Sequence, residues 1–139
     1  DVNNEEQFEW LQSLIWPELK ERKMNLNQAR YIHAKCEKQL LTGDFTALLP
    51  KLFANEAYKE TQIIIFHTHV ANQFPAQLKT DLLELLERLS NVHSIYHIYN
   101  NLSDADLHVD FIQHGVTTEK KTLQQTDGHG NYFYWKSSL

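Results

Sequence analysis

The chain has 139 residues, 13 Lys or Arg against 18 Asp or Glu for a formal net charge of −5, and a single cysteine, Cys36. One domain of this length can bury roughly two-thirds of its unfolded surface, enough for a core without a metal or disulfide. Dispersed basic residues argue against duplex nucleic acid as a partner, the lone cysteine excludes an internal disulfide or a cysteine zinc cluster, and no apolar run reaches membrane-spanning length.

The acidic start, Asp1-Val2-Asn3-Asn4-Glu5-Glu6, is unlike a signal peptide, and a reducing cytoplasm is the expected compartment. Cys36 is expected as a buried small apolar residue. The first residue is not Met, from which a processed or trimmed start is expected.

Asn4 followed by Gln7 has the form of a capping box, ahead of Phe8, Leu11 and Ile15 on one helical face, so a helix is predicted from about Glu5 to Ile15. Trp16-Pro17-Glu18 breaks it, and Pro17 suits the first position of a second helix bearing Leu19, Leu26, Ala29 and Cys36. Lys38 to Asp44 is a short strand candidate closed by Gly43-Asp44. Phe45, Leu48, Leu49, Leu52 and Phe53 recur at helical spacing and predict a third helix despite Pro50. Asp44 suits its N-cap.

Thr61 to Val70 contains Ile63-Ile64-Ile65-Phe66, too short and too branched for a helix. It reads as a central strand covered on both faces, as in a parallel sheet. It ends in His67-Thr68-His69, at the carboxyl end of a strand, where open α/β sheets place their ligand crevice. Phe74-Pro75 opens the clearest helix, with Leu78, Leu82, Leu85, Leu86 and Leu89 on one face. Val92 to Tyr99 is the next strand and completes a βαβ unit. Three further runs, 107–113, 120–125 and 131–136, are separated by Gly115 and by Asp127-Gly128-His129-Gly130, the pattern of an antiparallel meander. The expected fold is therefore α/β, a mixed sheet of five or six strands with parallel core strands, a C-terminal antiparallel meander, and helices on both faces.

This order, together with Leu40-Leu41-Thr42-Gly43-Asp44-Phe45-Thr46-Ala47-Leu48-Leu49-Pro50, resembles the end of a class I S-adenosylmethionine-dependent methyltransferase sheet, whose third strand is followed by a Gly-Asp-x-x-x-Leu-Pro stretch. A closer resemblance is to a bacterial family of unknown function with a methyltransferase-like C-terminal half. Trp10-Leu11, Ile15-Trp16-Pro17-Glu18, Arg22, Gly43-Asp44, Ile65-Phe66-His67-Thr68 and Asp127-Gly128-His129-Gly130 before Trp135 carry it, across almost the whole chain. The resemblance implies a partial Rossmann-like sheet, with Asp44 and Phe45 near the adenine of S-adenosylmethionine and His67 with Thr68 facing a small-molecule substrate.

The chain departs from that pattern at one point. It has four glycines, none forming a Gly-x-Gly-x-x-Gly turn. The first two strands are therefore expected upstream of Asp1, and residues 1–139 form a single domain that is the C-terminal part of a larger one. S-adenosylmethionine is expected to bind only when those strands are present.

Two other readings stay open. His67 and His69 would share one strand face if the backbone stays extended, and so serve a metal-assisted hydrolase, with His97 or Asp110 completing the site only if the fold brings them close. Alternatively the chain is a non-catalytic binding module, forming a homo-oligomer through the exposed sheet edge left beside the central strand.

Overall fold

The computed structural model describes residues 1–36, 38–123 and 132–134. The fold is α/β, and the chain divides into two compact units, Asp1–Thr42 and the part from Gly43 onward.

The first unit holds α1 (Glu5–Ser13) and α2 (Lys20–Lys35). Asn4 caps α1, its side-chain oxygen accepting from the Gln7 amide at 3.0 Å. Only half of the expected capping box forms, because the Gln7 side chain accepts from the amino terminus of Asp1 instead of returning to Asn4. Phe8 is buried, with the Arg30 guanidinium 4.1 Å above its ring and Glu5 holding that guanidinium at 2.7 Å. Pro17 does not start α2. Residues 16–19 form a turn closed by the Leu19 amide donating to the Trp16 carbonyl at 3.0 Å, and the helix begins three residues beyond the proline, with Leu19 at its N-cap and no buried residue along it. Cys36 is exposed, so the expectation of a buried apolar cysteine is wrong. Lys38 to Asp44 is no strand: no residue there pairs in the sheet, and Gly43 takes φ +148 to lead into the next helix.

The second unit carries α3 (Phe45–Phe53), β1 (Ile63–His67), α4 (Ala76–Leu89), β2 (Ile95–Tyr99), β3 (Leu107–Gln113) and β4 (Val116–Leu123), with 3-10 turns at Glu56–Tyr58 and Val70–Gln73. Asp44 caps α3 by accepting the Thr46 amide at 2.7 Å, and Pro50 is tolerated inside this helix. The described strands form one open sheet in the order β1-β2-β3-β4. β1 and β2 are parallel across the α4 connection, with Ile65 opposite His97 and His67 opposite Tyr99. β2 to β3 and β3 to β4 are antiparallel.

The described sheet departs from the expectation in its pairing and in the place of β1. It has four strands among the described residues, and two of its three pairings are antiparallel. The candidate strand at 131–136 falls partly outside the described residues, and 132–134 have no regular structure. Among the described residues β1 is an edge strand, not a central one, and it is not covered on both faces. Ile63, Ile65 and His67 are half-buried, whereas Ile64 and Phe66 are 58% and 65% exposed. An uninterrupted apolar run cannot distinguish a strand buried on both sides from one with an open apolar face.

The core lies on one side of the sheet. Leu82 and Leu86 of α4 pack with Phe53, Ala71, Ile95, Tyr99, Leu102 and Ile112, and Phe45, Leu49, Ile63 and Ile65 pack against this cluster. The tight turn between β3 and β4 has His114 and Gly115 at φ +53 and +78, and Ser90 at the end of α4 anchors it, accepting the Gly115 amide at 2.9 Å. Leu86 is wholly enclosed. Replacing it with Ala is expected to cost about 2–5 kcal/mol, the price of lost transfer energy and the void left behind. Urea unfolding checks this by a lower midpoint at unchanged slope.

Candidate functional site

The site is assembled where β1 and β2 end. Alternation along β1 turns Ile63, Ile65 and His67 toward the covered side, and alternation along β2 turns Ile95, His97 and Tyr99 the same way. In this register His97 lies diagonally from His67, within reach of a long side chain. Their Nε2 atoms are 2.9 Å apart. His97 is fully buried, and the Nδ1 atoms of both rings are enclosed without a hydrogen-bond partner among the described residues.

Tyr99 stacks on His97 with ring centres 4.2 Å apart, and on its other side lies His108, 4.9 Å away. The Tyr99 hydroxyl donates to Asp110 at 3.1 Å inside the sheet. His108 meets Asp104 through Nε2 at 2.7 Å and the Thr122 hydroxyl through Nδ1 at 3.2 Å. Burial lowers the proton affinity of His67. It pushes His97 down to about 3, aided by His67 and His108 beside it. Tyr99 is shifted the other way, since burial and the adjacent Asp110 carboxylate disfavour its ionisation. Around neutral pH this patch therefore holds two uncharged histidines and a protonated phenol.

Beside His67 opens an apolar cavity of about 290 Å³, walled by Phe45 and Leu49 of α3, Ile65 and Phe66 of β1, Val70, Phe74 and Leu82. Phe45 and Phe74 stack at 5.8 Å and 24°. Among the described residues His67 is the only polar one in the lining.

The chain then turns sharply. His69 has φ +45, and its amide donates to the Asn100 side chain at 3.0 Å. Asn100 is buried in the loop after β2, and Lys79 of α4 donates to the carbonyls of Asn101 and Leu102 in that loop at 3.2 and 2.8 Å. The two carboxyl-end loops are thus fastened to each other and to α4.

Of the residues singled out from the sequence, Phe45 and His67 meet at the cavity. Asp44 caps α3 through Oδ1, and its bonds to Thr46 hold its carboxyl below the usual range. Thr68 is exposed and outside the cavity lining. The extended backbone needed for His67 and His69 to share a face ends at His67, and among the described residues no group of three or more His, Cys, Asp or Glu is placed to hold a metal ion. Asp127 to Gly130 and Trp135 lie outside the described residues. His97 is brought to His67, whereas Asp110 is taken by Tyr99. The roles of Tyr99, Phe74 and Asn100 escaped the sequence reading. Only the Asn100-Asn101 pair after a strand hinted at a special turn, since Asn tolerates positive φ and Asn101 adopts +61.

Residues 1–135 match the family described as "Uncharacterized protein conserved in bacteria (DUF2332)". The chain belongs to this family. No curated protein and no solved structure matches it. Among the described residues, no helix of this DUF2332 chain is long and apolar enough to cross a membrane.

The buried histidines set a pH dependence. His97 binds its proton at about 3 when folded and near 6.5 when unfolded, so between these values the unfolded chain holds more protons. The contribution of neutral His97 to stability is complete above about 6.5 and is lost as the pH falls toward about 3. The groups facing it are His67, Tyr99, His108 and Asp110. Denaturant melts across this range are expected to show falling stability on acidification, with a shallower fall in His97→Leu. An equal slope in that variant would assign the acid sensitivity to other groups.

Proposed function

We propose that this chain forms one wall of the cleft of an S-adenosylmethionine-dependent methyltransferase-like domain, as its C-terminal portion, acting on a small-molecule substrate. The observation that carries this reading is the meeting of Phe45 and His67 around one apolar cavity at the carboxyl end of a parallel strand pair. Ligands of open α/β sheets sit at such ends. The apolar cavity suits an adenine ring packed on Phe45, and the carboxylate of Asp44, next to Phe45 in the chain though outside the lining, uses only Oδ1 for its cap, leaving Oδ2 for a ligand amine. The cofactor would supply an electrophilic methyl group. His67 and Thr68 would face the acceptor, and the chain's contribution to the reaction would be alignment. Among the described residues no lining side chain offers a partner for the charged methionine end, so strands beside β1 would have to provide it. The exposed free thiol of Cys36 is in keeping with a reducing cytoplasm as the compartment.

The test uses adenosine and S-adenosylmethionine separately. Millimolar adenosine is expected to shift the resonances of Phe45, Phe74 and His67, and S-adenosylmethionine to bind this chain no more tightly. Micromolar S-adenosylmethionine binding in calorimetry would contradict the division of the cleft. The absence of any shift with adenosine would remove the adenine assignment.

A second reading, a binding module that self-associates, is favoured by the outer edge of β1. Among the described residues no strand pairs with it, and Ile64 and Phe66 are exposed beside it. Such an edge templates pairing with another strand, here a second copy of the chain. Light scattering is expected to give a mass that rises with concentration and returns to the monomer in Ile64→Lys. A monomer at every concentration would end this reading.

A further inference from the structure

A second cluster of polar side chains lies outside the cavity, where β2 ends. His108 on β3 is the register partner of Tyr99 on β2 and of Thr122 on β4, so the three side chains stand in a row on one face. The His108 Nε2 atom lies 2.7 Å from Asp104 Oδ1, and its Nδ1 atom 3.2 Å from the Thr122 hydroxyl. An ionised carboxylate only accepts, so the proton between Asp104 and His108 belongs to Nε2. In the neutral ring Nδ1 is then a bare acceptor, and the Thr122 hydroxyl is the donor. The chain runs from hydroxyl to imidazole to carboxylate, the polarity of a nucleophile, its base and the group that orients the base. Asp104 is itself held in place. Its Oδ1 accepts the Asp106 amide at 2.9 Å, its carbonyl accepts the Asn101 amide at 2.7 Å, and the bond from His108 keeps its carboxyl below the usual range. Tyr99 stacks on His108 at 4.9 Å and 14°, which fixes the plane of the ring. His108 is half-buried, whereas Thr122 is exposed and open to a reactant.

We propose that Thr122 is a nucleophile for acyl transfer, with His108 as its base and Asp104 orienting His108, and that it takes an acyl group from a thioester or an aryl ester. The site is separate from the cavity and does not rest on the reading given to it. Thr122 Oγ1 attacks the acyl carbon while its proton passes to His108 Nδ1, and the Asp104 carboxylate stabilises the imidazolium so formed. The bond to the leaving group breaks, and the thiolate or phenolate departs with the electron pair and takes the proton from His108. An ester on Thr122 remains. Water then attacks that ester with His108 as base, the Thr122 hydroxyl regains a proton, and the acid is released. The sum is ester and water giving acid and thiol or phenol. The cluster supplies a nucleophile and a path for its proton, and the acyl donor brings a leaving group that departs readily.

The probe is p-nitrophenyl acetate, mixed with the full chain at neutral pH and quenched in acid. Peptide mass spectrometry is expected to find the acetyl group on Thr122. Thr122→Val keeps the shape without the hydroxyl, and because Thr122 is exposed this variant is expected to fold. It should lose both the adduct and most of the p-nitrophenolate release, whereas Thr122→Ser should keep both. His108→Gln should slow acylation about a hundredfold. An unchanged rate in Thr122→Val overturns the proposal, since an exposed imidazole can hydrolyse this ester by itself. So does the absence of an acetyl group on Thr122 in the quenched wild-type chain.

Asp104 is a positioning residue, and its part is read from the imidazole. Long-range proton–nitrogen correlations are expected to show His108 protonated at Nε2 in the wild-type chain. In Asp104→Asn the side-chain amide can donate to Nε2 and move the ring proton to Nδ1, which deprives Thr122 of its acceptor. Acylation should then fall about a hundredfold, and Asp104→Glu, which still only accepts, should recover part of the rate. A cluster that merely fastened the loop to the strands would lower the urea midpoint in Asp104→Asn and leave the acylation rate as it was. That result overturns the proposal, as does Nδ1–H on His108 in the wild-type chain.

Discussion

The parallel register of β1 against β2 is the constraint on which the site depends. It sets Ile65 opposite His97 and His67 opposite Tyr99, and so brings two imidazoles and a phenol to the covered side of the sheet at its carboxyl end. A slip of one residue in either strand would turn its whole set of covered side chains to the open face. The histidine contact, the stack on Tyr99 and the polar end of the cavity would go together. α4 enforces the register by spanning the two strands, with Leu82 and Leu86 in the core and Lys79 tied to the loop after β2.

That arrangement is expensive in the currency of solvation. His97 and Asp110 are buried polar groups in a sheet face otherwise filled by Ile95, Ile112 and Tyr99. Their hydrogen bonds to His67 and Tyr99 satisfy one atom each, and two imidazole nitrogens remain without partners among the described residues. A partly satisfied network is less stable than an apolar core of the same shape. A sequence tuned for stability alone would put Leu or Phe where His97 stands.

The opposite face of the sheet poses a different problem. Ile64 and Phe66 stay largely exposed, next to an edge with no described partner strand. β1 thus carries His67 to the cavity on its packed face and leaves Ile64 exposed on the other. Membership of the DUF2332 family fixes neither activity nor partner, so function here has to be argued from the site.

The sequence by itself determined most of the local structure. The leucine spacing of α4, the Asp44 cap of α3, the Asn4 cap of α1, the glycine turn at Gly115 and the branched run of β1 each rest on interactions between near neighbours, and each is seen. Local signals misled where two tendencies compete. Pro17 permits a helix start without compelling one, and residues 38–44 have strand composition but no partner to pair with. Only the tertiary structure decided that, among the described residues, β1 lies at an edge with one face open and most of the sheet is antiparallel, and that His67 pairs with His97 and not with His69. The reason is physical: strand order, register and the contact of residues thirty positions apart are set by which apolar faces meet across the fold, and no short stretch of chain contains that information.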